Sequence, residues 1–234
     1  MDTGRLAGLI NMIYPSSCPA CGSGTDNTAC APFCKACWSG ITRYSGPACK
    51  VCSVPFSSKY ASVCSDCLKK PPAFTRALSY GIYENVLASA IGRFKFQGAR
   101  RLHKPLGKFL LELEMPAVDA IVPVPLSLTG LLSRGFNQAL LLSKIVSRHH
   151  GIPMITDGLL KVKDTPSQIG LSARERAINL KGSFITVRDF RSMKLLVVDD
   201  VMTTGATARE CSGLLLKTGA EEVYVMTLAR AAAG

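Results

Sequence analysis

The chain has 234 residues, enough for one full α/β domain and a smaller companion. At 47% hydrophobic it can build a core, which excludes a disordered chain, and no apolar run reaches bilayer-spanning length. A formal net charge of +12 points to a polyanionic partner, nucleic acid first and nucleotide-like ligands second. Leu6 to Tyr14 is mildly apolar, short, and without a small-residue cleavage site. It reads as an amphipathic lead-in helix and not a signal peptide, so a cytoplasmic protein is expected.

Ten cysteines follow, eight of them in four C-x-x-C pairs: Cys18/Cys21, Cys34/Cys37, Cys49/Cys52 and Cys64/Cys67. Without a secretion signal a disulfide framework is disfavoured, and four evenly spaced pairs are not one redox site. Zinc is the reading that fits, because two thiolates two residues apart grip one face of a tetrahedron and a second knuckle closes it. The two C-x2-C units are separated by 12 and by 11 residues, which looks like a duplicated ribbon carrying two structural Zn²⁺. The simplest pairing is sequential, Cys18, Cys21, Cys34 and Cys37, then Cys49, Cys52, Cys64 and Cys67; spacing leaves an interleaved cross-brace open. Each loaded site would carry about −2, lowering the net charge to about +8. Cys30 reads as a spare thiol and Cys211 as a small core residue. Lys35, Arg43, Lys50, Lys59, Lys69 and Lys70 supply positive charge around the ribbons. Trp38, Tyr44, Phe56 and Tyr60 are either stacking faces or covers for the metal sites.

Pro71-Pro72 breaks the chain, dividing it into residues 1–72 and 73–234. Thr75 to Tyr83 alternates as a strand does. Val86, Leu87, Ala90, Ile91 and Phe94 recur at helical spacing and lead into a basic cluster, Phe94-Lys95-Phe96-Gln97-Gly98-Ala99-Arg100-Arg101, followed by His103, Lys104 and Lys108. That cluster is either an anion contact or a solvated helix face.

Ala120 to Pro125 reads as the first strand of a sheet, its prolines ending the pairing. Arg134-Gly135-Phe136-Asn137-Gln138 then opens a helix that Gly151 and Pro153 close, with His149-His150 at its C-terminus. Arg134, beside a glycine at that entrance, suits an anion contact. Ile155 to Val162 reads as the second strand. Lys163 to Lys181 is long and polar, as functional loops are, with a capping-box pattern at Ser172-Ala173-Arg174-Glu175. Ser183 to Val187, Leu195 to Val198 and Glu222 to Leu228 are extended. The alternation predicts an α/β fold, a parallel sheet flanked by helices.

The stretch that organises the chain is Lys194 to Thr207. Leu195 to Val198 is an unbroken apolar run, as a strand buried on both faces requires. Asp199 and Asp200 stand where it is expected to end, at the edge where ligands bind open α/β sheets. Thr203, Thr204, Gly205, Ala206 and Thr207 form a hydroxyl-rich turn, and Thr207-Ala208-Arg209-Glu210 fits a capping box that would start a helix. A helix start suits a phosphate, and paired carboxylates suit the vicinal hydroxyls of a ribose. No Walker or dinucleotide pattern is present. The stretch resembles the phosphoribosyl pyrophosphate (PRPP) signature of the type I phosphoribosyltransferases. In those proteins the segment corresponding to Lys163–Lys181 closes over pyrophosphate.

Taken with Val122-Pro123-Val124-Pro125, Gln168-x-Gly170-Leu171-Ser172 and Asn179-Leu180-x-Gly182, the knuckles, Phe94 to Gly98, Arg134 to Gln138 and the acid-pair loop resemble, in order, the ComF family of competence-associated, phosphoribosyltransferase-like proteins. One stretch departs from that family: Ser127 to Ser133 carries no charge where relatives are basic. The resemblance implies a type I phosphoribosyltransferase-like domain behind a double zinc ribbon. It implies single-stranded DNA and a competence helicase as partners, and PRPP with Mg²⁺ as ligand, in DNA uptake. An active transferase and a zinc-dependent adaptor with a vestigial site are the rival readings. In a transferase, Asp199 and Asp200 would hold the ribose hydroxyls, Thr203 to Thr207 the 5′-phosphate, and Arg134, Arg174 and Arg176 the pyrophosphate.

Overall fold

A computed structural model describes residues 17–25, 30–57, 60–164 and 173–232. The lead-in segment Leu6–Tyr14, Lys59 and residues 165–172 of the long loop lie outside the described residues. Two short helices, α1 (Lys35–Ser39) and α2 (Ser65–Lys69), belong to the ribbons. They are followed by β1 (Arg76–Ile82), α3 (Asn85–Phe96), a 3₁₀ turn (Arg100–Leu102) and α4 (His103–Leu111). Then come β2 (Ala120–Pro123), α5 (Leu128–Arg134), α6 (Gln138–His150) and β3 (Leu160–Lys161). The chain continues through α7 (Ala173–Leu180), β4 (Phe184–Ile185), β5 (Lys194–Met202), α8 (Ala206–Lys217) and β6 (Glu222–Arg230).

Four strands form one parallel sheet in the order β1-β6-β5-β2. β5 is interior, and its apolar run explains why: alternate residues serve two separate cores. Leu196 and Val198 pack with Leu87, Ile91 and Phe94 of α3, Leu106 and Leu110 of α4, and Leu142 of α6. Leu195 and Val197 pack with Ala208, Cys211 and Leu215 of α8 and with Phe184 and Phe190. Cys211 is fully buried, as the sequence suggests. Among the described residues no helix is long and apolar enough to cross a membrane.

Several local expectations are corrected. β2 is an edge strand and not the first of the sheet; β1 occupies the opposite edge. Ile155–Val162 does not join the sheet as a strand. Only Met154 bridges to Ile121, and β3 turns away to pair antiparallel with β4. Asp157 and Gly158 are the reason. Asp157 leaves the strand line for an ion pair with Arg188 at 2.7 Å. Gly158 is packed so closely that a Cβ would lie 3.2–3.3 Å from Ile155, Phe190 and Val122. α5 is an added element: Ser127 caps it, its hydroxyl accepting from Gly130 N at 3.3 Å, and Gly135 ends it at φ +74°. α8 starts two residues earlier than the capping-box pattern implies. Gly205 at φ +79° is the cap, and Glu210 accepts from Gly182 N at 2.7 Å instead of returning to its own helix start.

The ribbons contribute to both cores. Cys18, Phe33 and Cys34 enter one, Cys49, Cys52, Val54 and Cys67 the other. Backbone bonds cross from ribbon to sheet at Tyr44 N to Tyr80 O (2.9 Å) and Ala77 N to Val51 O (2.7 Å). Trp38 lies between Phe33 (5.8 Å) and Phe109 (5.6 Å), and Phe109 stacks on Tyr80 at 4.5 Å. Trp38 therefore fastens ribbon to sheet, with one ring face stacked on Phe109. Phe109→Ala should cost about 3–5 kcal/mol in denaturant unfolding. A double-mutant cycle with Trp38→Ala should return a coupling of about 0.5–1.5 kcal/mol. Strictly additive losses would mean the ribbon does not dock through this stack.

Candidate functional site

β5 does not stop at the acids. It runs through them to Met202, with Asp199 paired to Thr227 and Val201 to Ala229 of β6. Side chains of a strand alternate between faces, so the neighbouring carboxylates point to opposite sides of the sheet. The expectation that the strand ends at the pair is therefore corrected, and with it the idea that the two acids sit alike.

Asp200 faces the α3 side. It is 5% exposed and meets Lys95 Nζ at 2.7 Å. Burial works against the charge of Lys95, but the fields of Asp200 and then Asp199 more than offset it and raise its pKa. Gln138, 1% exposed, fixes the end of α3 that carries Lys95, donating through Nε2 to the carbonyls of Phe94 (3.5 Å) and Lys95 (3.4 Å).

Asp199 faces the α8 side and is half-buried. Its Oδ1 accepts from Asp200 N at 2.8 Å. Burial, and then the neighbouring Asp200 charge, push its carboxyl up to about 7, with Lys95 pulling the other way. Lys161 of β3 and the Cys211 thiol also feel Asp199. Burial pushes that thiol well above its ordinary range, so Cys211 stays protonated and inert.

Asp199 lines a cavity of about 360 Å³ together with Val124, Thr227 and the whole turn Thr203, Thr204, Gly205, Ala206 and Thr207. That volume includes solvent at the open mouth of the cleft. Gly205 is required in the turn by its φ of +79°. The turn delivers the chain into α8, whose first N–H groups and dipole face an incoming anion. One carboxylate, four threonines and a helix start thus share one cavity.

Arg134 is not at a helix entrance; it is the last residue of α5. Its guanidinium lies 5.0 Å from the ring centre of Phe96 and donates to Gln138 Oε1 at 3.3 Å. The Arg134–Gln138 run reads cleanly in the structure. Gly135 turns the chain, Phe136 packs on Phe94 at 5.4 Å, and Asn137 caps α6 while donating to Val124 O at 3.0 Å. Arg174 and Arg176 belong to α7, but their side chains lie outside the described residues. Sequence reasoning placed Lys95 in a surface basic cluster and missed Lys161, Gln138 and Arg230. The signal for Lys95 is a lone cation flanked by two phenylalanines, one of them on the apolar stripe of α3.

The thiols gather as two separate groups, Cys18/Cys21/Cys34/Cys37 and Cys49/Cys52/Cys64/Cys67, each with its sulfurs within 4.8 Å of one another. This is the sequential arrangement, not the interleaved one. The distances suit zinc: Cys21 Sγ to Cys34 Sγ is 3.7 Å and Cys52 Sγ to Cys64 Sγ is 3.6 Å. The edge of a tetrahedron with Zn–S near 2.3 Å is about 3.8 Å. Backbone N–H groups of Cys37, Cys52, Cys64 and Cys67 donate to cluster sulfurs at 3.3–3.5 Å, as thiolate ligands need. All four positions are filled by protein, so the centres are structural. Cys30 stays outside them, with its thiol on Phe33 O at 3.6 Å.

Residues 9–68 match the family model of the double zinc ribbon domain. Competence protein F of Haemophilus influenzae is 40% identical over 74% of this chain and 80% of its own length. The DNA utilization protein YhgH of Escherichia coli K12 is 33% identical over 85% of this chain and 90% of its own length. Among solved structures, glutamine phosphoribosylpyrophosphate amidotransferase of B. subtilis is 24% identical over 53% of this chain and 25% of its own, with a TM-score of 0.39. The 40% identity to competence protein F and 33% to YhgH, each across most of both chains, place this protein in the family of competence protein F and DNA utilization protein YhgH.

Proposed function

We propose that this protein binds a PRPP-type sugar phosphate at the β5–α8 turn and handles single-stranded DNA during natural transformation. The observation that carries the reading is the single cavity holding Asp199, Thr203, Thr204 and Thr207 at the start of α8. Asp199 accepts from the ribose hydroxyls. Thr203, Thr204, Gly205, Ala206 and Thr207 take the 5′-phosphate through hydroxyls and the helix start. Asp200 serves from the other face, holding Lys95 in the wall. Mg²⁺ belongs with the ligand, where it neutralises the pyrophosphate. The DNA part rests on relatives named for competence and DNA utilization, on the +12 charge, and on exposed Arg100, Arg101, Lys104 and Lys108 along one stretch.

Calorimetry with PRPP and Mg²⁺ tests the site. An ionised Asp199 accepts hydroxyl hydrogen bonds better than a protonated one. Affinity should therefore rise as pH passes through about 7, and fall roughly tenfold per unit below it. Lys95→Met removes a cation that favours ionisation of Asp199 and should move the transition to higher pH. Asp199→Asn should bind weakly, without this transition. A slope that survives in Asp199→Asn belongs to the ligand's own phosphates and removes Asp199 from the site; no binding by the wild type ends the reading.

Gel shifts on single-stranded DNA across a salt series test the other half. The double variant Lys104→Ala/Lys108→Ala should flatten the log–log salt slope by about 1–2. A wild-type complex indifferent to salt would exclude a phosphate-backbone contact. Pyrophosphate release with a panel of bases would mark an active transferase instead.

A further inference from the structure

Arg230 ends β6, and although β6 pairs it with Met202 its side chain leaves the sheet toward the second ribbon. The residue is 7% exposed. Its Nε donates to Cys52 O at 2.9 Å. Its Nη1 donates to Met202 O and Ala231 O, each at 3.0 Å, and to Thr203 O. All of these acceptors are neutral carbonyls; among the described residues no carboxylate pairs with it. A guanidinium taken out of water without a counter-charge is strongly disfavoured. Its bond to the Cys52 carbonyl sets it beside the second cluster. Cys52 belongs to the second cluster, and four thiolates on one zinc ion carry about −2. The missing counter-charge is therefore the loaded metal centre itself.

The same guanidinium also sets the turn. In a trans peptide the C=O and the following N–H point in opposite directions. Tying the carbonyls of Met202 and Thr203 to Arg230 turns the N–H groups of Thr203 and Thr204 away from it. We propose that Arg230 is the counter-ion of the second tetrathiolate zinc centre and, through the same fork, the strut that orients the Met202–Thr204 peptides, so that the anion-binding turn is built upon that centre. Among the described residues no guanidinium bonds a cysteine carbonyl of the first centre, which gives an internal control. Only the ligand consequence rests on the sugar-phosphate reading above.

The test uses the full, zinc-loaded chain. Zinc retention at each centre is followed by chelator challenge, with alkylation of the freed cysteines read by mass spectrometry. The turn is followed by amide exchange over 202–206. Arg230→Gln should release zinc from Cys49, Cys52, Cys64 and Cys67 at least tenfold faster, leave Cys18, Cys21, Cys34 and Cys37 unchanged, and speed exchange in the turn. Arg230→Lys keeps the charge but loses the fork, so zinc retention should recover while turn exchange stays fast. In the wild type, turn exchange should rise at the step where the second centre is stripped, and not with the first. Equal loss at both centres in Arg230→Gln would indicate general destabilisation and overturn the proposal. So would a wild-type turn that ignores removal of the second zinc, a result that needs no variant to fold. If the wild type binds PRPP, Arg230→Gln should weaken it at least tenfold. If the wild type does not bind, that fault lies with the sugar-phosphate reading, and the exchange and retention data still decide this one.

Discussion

The two-residue repeat of β5 governs the molecule. Because the strand persists through Asp199 and Asp200 to Met202, it sends one carboxylate into each half of the protein. One is neutralised in place by Lys95 and becomes part of the wall. The other stays half-buried, raised in pKa, and open to the turn that follows. Had the strand stopped four residues sooner, at Val198, both acids would sit in a loop with similar surroundings. The chemistry of the site is therefore set by sheet geometry before any loop residue is considered.

The large pieces were legible because their signals are local. Leu195 to Val198, the helical stripe of α3 and the four C-x-x-C pairs each identify themselves within a few residues, and the structure shows all of them. What sequence could not carry is partnership at a distance. Nothing near Lys95 says that its ammonium reaches Asp200, more than a hundred positions away, and nothing in β6 marks Arg230 as a neighbour of Cys52. The misplaced strand at Ile155–Val162 has the same origin. Its apolar pattern is real, but the partner it finds is β4, through a turn governed by Asp157 and Gly158. The capping box at Thr207 failed for another reason: the pattern was present, but Gly205 had already supplied the left-handed residue that starts the helix.

The ribbons are better described as part of the wall than as an appendage. A small cysteine-rich module has little core of its own and takes its folding energy from metal. Here it also lends Phe33 and Val54 to the cores of the larger body and borrows Phe109 and Tyr80 in return. The division at Pro71-Pro72 that composition suggests is a division of covalent chain; packing runs across it. Acid pair, turn and second metal centre lie within a few side chains of one another because the ribbon folds back onto the β6 end of the sheet.

The strand order carries a consequence for how such a chain is made. β1 touches no sheet neighbour except β6, about 150 positions downstream, as the pairing of Arg76 with Tyr224 shows. During synthesis the cysteine modules and β1 leave the ribosome long before β6, the sheet partner of β1, exists. Until β6 arrives, β1 has one backbone edge unmatched and an apolar face open to solvent, the condition in which nascent chains attract chaperones or one another. Loops that long close slowly. The time between early metal capture and late sheet closure is thus fixed by topology, and it is in that interval that the newborn polypeptide is most exposed to misassembly.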